Sequence, residues 1–147
     1  MTRPAVDLEG ADPSGLAELV SGLIRQQLAR EPSRAANLRP SVVVLEVPDA
    51  AVVVTVRIGS GHVRVRDGSA PDAHLRVVAD ADRLLAMTAA PLRAGMPDPF
   101  RPDGRAAIAD LFARRVRVHG LLRHPRRLAR FTSLVSIDDP GRKRAAP

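Results

Sequence analysis

Leu16, Leu19, Val20, Leu23, Ile24 and Leu28 recur at the three- and four-residue intervals of one helical face. Asp12-Pro13 offers an N-cap followed by proline at the first helical position, and Glu31-Pro32 offers a stop. The spacing predicts a surface helix of about 17 residues between them. The period then switches to two. Ser41 to Val47 is a β-branched run halted by Pro48-Asp49. From Ala51 to Ile58, Val52, Val54, Val56 and Ile58 share a face, while Thr55 and Arg57 take the other. Gly59-Ser60-Gly61 supplies a hairpin turn, because glycine reaches the positive φ that tight connections demand. His62 to Asp67 alternates strictly, with Val63 and Val65 opposite His62, Arg64 and Arg66. After Asp67-Gly68, His74 to Val78 reads as a fourth strand with Leu75 and Val77 inward. Strands joined by short loops predict a meander-like, largely antiparallel sheet with one dry face and one wet face.

Beyond the fourth strand the elements shorten. Asp80 or Asp82 caps a short helix through Leu84, Leu85 and Met87. Pro91 to Pro102 holds four prolines and reads as an ordered loop or lid. Asp103 opens a further short helix with Ile108, Leu111 and Phe112 on one face. Arg115 to His119 is a fifth strand with Val116 and Val118 inward, and Gly120 ends it. Pro125 opens a last helix bearing Leu128, Phe131, Leu134 and Val135. Amphipathic helices must cover the apolar side of a one-sided sheet. The expected architecture is therefore α+β, two-layer, with a largely antiparallel five-stranded sheet covered on one face by helices. The domain spans 13–137, between a flexible N-terminus (1–12) and a disordered basic tail (138–147).

Composition narrows what this domain can do. Its 147 residues suit one domain able to bury a core without staples. Zero cysteine excludes disulfides, thiolate metal sites and thiol nucleophiles. Three aromatic residues, Phe100, Phe112 and Phe131, leave no base-stacking platform. The net charge is +7, and Lys143 is the single lysine among 23 basic residues. Abundant Arg, Ala, Pro and Val is the signature of a GC-rich coding sequence, so the charge is first a matter of composition. No apolar leader or membrane span is visible, and the chain reads as cytoplasmic.

Catalytic chemistry finds little support. Ser60 beside His62 is the nearest approach to a nucleophile and base, but it lies at a hairpin tip without a carboxylate partner. His62, His74, His119 and His124 have no helical ligand spacing, so no metal and no cofactor is expected. Gly59-x-Gly61 lacks the third glycine and the helix of a dinucleotide site. Alternation places Arg57, Arg64, Arg66, Arg76, Arg115 and Arg117 opposite the valines, and Arg123, Arg126, Arg127 and Arg130 open the last helix. Such a face suits weak contact with an anionic membrane better than nucleic acid, which lacks a base-reading motif here.

Arg64-Val-Arg-Asp-Gly68, the acidic-capped Asp80-Ala-Asp-Arg-Leu-Leu85, and Leu111-Phe112-Ala113-Arg114-Arg115-Val116-Arg117-Val118-His119-Gly120 before an amphipathic helix carry a resemblance. Over residues 16–137 the chain resembles the sterol carrier protein 2 (SCP-2-like) family. Arg114 replaces an earlier glycine of the family's late motif, and the proline-rich stretch is longer than usual. The resemblance implies an apolar tunnel between sheet and helices that binds a sterol, fatty acid, acyl-CoA or phospholipid without transforming it. Candidate lining positions are Val54, Val56, Leu75, Val77, Leu84, Leu85, Ile108, Leu111, Phe112, Leu128, Phe131 and Leu134, with Met87, Leu92, Met96 and Phe100 as lid. Each is also an ordinary core residue, so only the set carries the expectation. Two alternatives stay open: a basic module for nucleic acid or anionic surfaces, and an accessory subunit presenting a lipid-like intermediate to an enzyme.

Overall fold

The computed structural model describes residues 5–32, 38–59, 61–84, 92–93, 96–97, 105, 109, 116–120 and 122–135. Strand β1 (Ala5–Glu9) is followed by helix α1 (Gly15–Arg30), β2 (Ser41–Val47), β3 (Val52–Gly59), β4 (His62–Asp67) and β5 (Leu75–Ala79). Then come the short β6 (Leu92–Arg93) and β7 (Met96–Pro97), β8 (Val116–His119) and a second long helix, α2 (Pro125–Val135). The main sheet has six strands in the order β1-β4-β3-β2-β5-β8. The β2–β3, β3–β4 and β5–β8 pairs are antiparallel, and β1–β4 and β2–β5 are parallel.

Both helices lie on one face. Ala17, Val20, Ile24 and Leu28 of α1 and Leu128, Phe131, Leu134 and Val135 of α2 form one cluster with the inward strand residues, among them Val43, Leu45, Val54, Val56, Val65, Leu75 and Val77. The domain is thus a two-layer α+β fold built on a largely antiparallel sheet. Helix α1 begins two residues later than the sequence suggests. Ser14 is its N-cap, and the Ala17 N–H donates to Ser14 Oγ at 3.2 Å. The Ser14 N–H in turn donates to Asp67 Oδ2 at 2.7 Å, which ties the helix start to the end of β4.

Three expectations need correction. Residues 1–12 were expected to be irregular, yet Ala5–Glu9 adds a sixth strand at the open edge of β4. Arg25 of α1 holds this strand by donating from Nε and Nη2 to the Val6 carbonyl, at 3.3 and 2.8 Å. Secondly, the sheet is not a simple meander. After β4 the chain crosses β3 and β2 and enters β5 parallel to β2. Thirdly, this crossing makes part of the outer face dry. Ala70 packs with Val42 and Val44, and Thr55, wholly buried, donates from Oγ1 to the Gly68 carbonyl at 2.6 Å. The proline-rich stretch contributes the antiparallel β6–β7 pair, in which Leu92 faces Pro97 across the ladder and Arg93 faces Met96.

Candidate functional site

An apolar hollow of about 370 Å³ lies where the two layers part. Helix α1 contributes Gly15, Leu16, Leu19, Val20 and Leu23, one flank of its apolar stripe. The end of β2 supplies Leu45 and Val47, the following turn Ala50, and the start of β3 Val52. Ala81 and Leu84 close another side from a helical turn at residues 81–84, and Phe131 and Val135 come from the last turns of α2. The Ala81 N–H donates to Asp49 Oδ1 at 3.1 Å, which fastens that turn to the β2–β3 connection.

The described walls contain no polar side chain. Water inside such a space finds too few hydrogen-bond partners, so an apolar guest meets no competing solvation. Leu19 is 41% exposed although it belongs to the wall, so the hollow has an apolar edge in contact with solvent.

The sequence-derived candidates divide. Leu84 and Phe131 line the hollow. Val54, Val56, Leu75, Val77, Leu128 and Leu134 are buried in the packed core. Leu92 and Met96 sit in the β6–β7 pair, and Leu85, Met87, Phe100, Ile108, Leu111 and Phe112 lie outside the described residues. The α1 residues and the Leu45–Val52 corner were not singled out as lining. The signal that could have found the helix residues is Leu16 and Leu19, which extend the apolar stripe beyond what the core needs.

A second, larger hollow of about 650 Å³ has a different character. His74, Arg76, His119, Arg123 and His124 line it together with Ala73, Val118, Gly120 and Leu122. The His74 Nδ1 accepts from the Val42 N–H at 3.0 Å, and the His74 N–H donates to the Val42 carbonyl at 2.8 Å. The His74 and His124 rings meet edge to face, centroids 5.4 Å apart. Burial, and then the charges of Arg127 and His124, hold the His74 imidazole below the usual histidine range, with Asp72 opposing. Among the described residues no group of three or more His, Cys, Asp or Glu could hold a metal ion. Gly120 packs so closely on the His74 carbonyl oxygen, at φ +89°, that a Cβ would collide with it.

Among the described basic residues on the outer sheet face, Arg57, Arg64 and Arg76 are engaged. Arg57 makes a two-pronged pair with Asp72, both bonds at 2.8 Å. Arg64 lies 3.7 Å from Glu9, and Arg76 lies 3.4 Å from Glu46 and donates to Ser69. Asp72 is held below the ordinary carboxylate range, first by its hydrogen bond from Arg57. No helix among the described residues is long and apolar enough to cross a membrane.

No family model matches the sequence, and no curated protein matches it. Similarity is found among solved structures. One is titled "UbiJ-SCP2 Ubiquinone synthesis protein"; it is 20% identical, with a TM-score of 0.56 over 82% of this chain and 92% of its own. Another, titled as the stereoselective inverting sec-alkylsulfatase Pisa1 from Pseudomonas sp., is 14% identical, with a TM-score of 0.47 over 69% of this chain and 14% of its own. The agreement with the first, extending over nearly all of that structure, shows that this chain has the fold of the SCP-2 type.

Proposed function

We propose that the protein binds and carries an apolar, lipid-like molecule in the hollow between α1, α2 and the β2–β3 corner, without transforming it. The observation that carries this reading is an interlayer hollow with entirely apolar described walls. An apolar guest gains about 0.8 kcal/mol for each methylene it buries. Burying some ten methylenes would supply about 8 kcal/mol before ordering costs, enough for useful affinity. A described wall without polar side chains offers little anchor for a headgroup, so any polar end of the guest remains at the solvent edge near Leu19. Fatty acids, acyl-CoA, phospholipids and sterols all satisfy that division. The likeness in fold to a ubiquinone synthesis protein adds a polyprenyl-tailed molecule to those worth testing, presented to a separate enzyme.

Denaturing organic extraction of the purified protein, read by mass spectrometry, should release a co-purified lipid, and a fluorescent fatty acid should bind and be displaced by it. Ala81→Trp, which fills the hollow from its wall, should weaken that binding at least tenfold while leaving the melting temperature near its original value. If nothing is extracted and no fluorescent fatty acid binds, the carrier reading is abandoned.

A further inference from the structure

Between Asp110 and Asp138 the chain carries seven arginines and no acidic residue. Of those the structure describes, Arg127 donates to the Pro40 carbonyl at 2.9 Å. Arg123, Arg126 and Arg130 are exposed and engage no partner among the described residues. Arg126 and Arg130 stand one turn apart on α2, so both present charge from the same side of the helix. Leu122, which directly precedes Arg123 in the chain, is 98% exposed.

A singly exposed leucine is commonplace. This one differs in where it is held and in what surrounds it. Gly120 lies against the His74 carbonyl, and the His124 N–H donates to the Gly120 carbonyl at 2.9 Å. Leu122 thus presents an isobutyl group to water, with guanidinium groups that have no partner among the described residues close by in sequence. The other large apolar side chain exposed among the described residues, Leu19, belongs to the hollow at the far end of the strands.

We propose that this turn and the first turns of α2 dock on an anionic phospholipid bilayer, with Leu122 entering the acyl boundary and Arg123, Arg126 and Arg130 meeting headgroup phosphates. Basic residues near an anionic surface each strengthen partition about fivefold. Burial of one leucine adds roughly tenfold. A nucleic acid would engage the same arginines but leave Leu122 idle, which makes the leucine the discriminating residue. On the outer sheet face Arg57, Arg64 and Arg76 already have carboxylate neighbours, and the docking surface is placed on the turn because Leu122 adds an exposed apolar group there. Docking is independent of what the apolar hollow holds, so its test does not stand or fall with the carrier reading.

The full chain is sedimented with vesicles of phosphatidylcholine alone and of equal parts phosphatidylcholine and phosphatidylglycerol. Binding is expected to the anionic vesicles only. Leu122→Ser should lower it about tenfold. Arg126→Gln with Arg130→Gln should lower it about 25-fold. Arg57→Gln with Arg64→Gln should leave it unchanged, and all variants should melt as the parent does. The chain contains no tryptophan, so Leu122→Trp installs a sole indole whose emission should shift to the blue on anionic vesicles. Absence of vesicle binding, equal binding to neutral vesicles, or an unshifted indole overturns the proposal. So does a Leu122→Ser variant that binds like the parent, or sensitivity confined to the sheet-face pair.

Discussion

The two hollows lie at opposite ends of the strands, and the larger is the less suited to a lipid. The apolar one collects the end of β2, the start of β3 and the residues after β5. The other collects the start of β5, the end of β8 and the turn into α2. Helix α2 connects them, with His124 just before its first residue at one end and Val135 at the other. The first is a gap lined by aliphatic side chains and Phe131. The second is lined by three histidines and two arginines, with the His74 and His124 rings in contact and the His124 N–H bonded to the Gly120 carbonyl. Volume alone does not mark a binding site; the solvation of the walls does.

That contrast can be broken from either end. At the apolar end, Phe131→Ala removes a ring that is 5% exposed and belongs to both core and wall. Unfolding in urea without ligand should show a loss of about 3–5 kcal/mol. A loss below about 1 kcal/mol would mean that Phe131 packs loosely and serves the hollow alone. At the polar end, Gly120→Ala forces a Cβ onto the His74 carbonyl at a φ that alanine resists. A loss of about 2–4 kcal/mol is expected in the same experiment. A neutral result would show that β5 and the 120–124 turn adjust freely, and the polar hollow would then be no rigid feature.

Alternation along the chain identified the inward faces of β3, β4 and β5 correctly, because burial on a pleated sheet is a property of residue parity. It could not say which strands are neighbours. The parallel β2–β5 seam depends on a crossing loop whose Ala70 and Gly68 seat on Val44 and Thr55, contacts with no local pattern. Strand β1 was missed because Ala5-Val-Asp-Leu-Glu9 offers only Val6 and Leu8 to the core, and its outward Glu9 finds Arg64 only once β4 exists. The site was legible to a similar degree. An inward apolar residue is the same in sequence whether it packs on another or faces a void, so Val54 and Val77 were as good candidates as Leu84 and Phe131. Where the layers part is decided by the angle between them, which no residue encodes by itself.

The smallest expected effect concerns the polar end and pH. The neutral His74 imidazole accepts the Val42 N–H through Nδ1, so protonation would remove the acceptor that caps the start of the β2–β5 seam. The folded pKa is depressed, by burial first and then by Arg127 and His124, against the partial opposition of Asp72. In the unfolded chain the group titrates near the ordinary value of about 6.5. As pH falls below that value the unfolded state takes up the proton first. The His74 contribution is therefore complete above about pH 6.5 and declines as pH drops toward the lower folded pKa, below which it changes no further. The urea midpoint should fall between pH 7.5 and pH 5 in the parent chain. His74→Asn keeps a side-chain oxygen able to accept from Val42 without titrating, and should flatten that fall. An equal fall in the variant would place the pH response in other groups and leave the polar hollow without a titrating role.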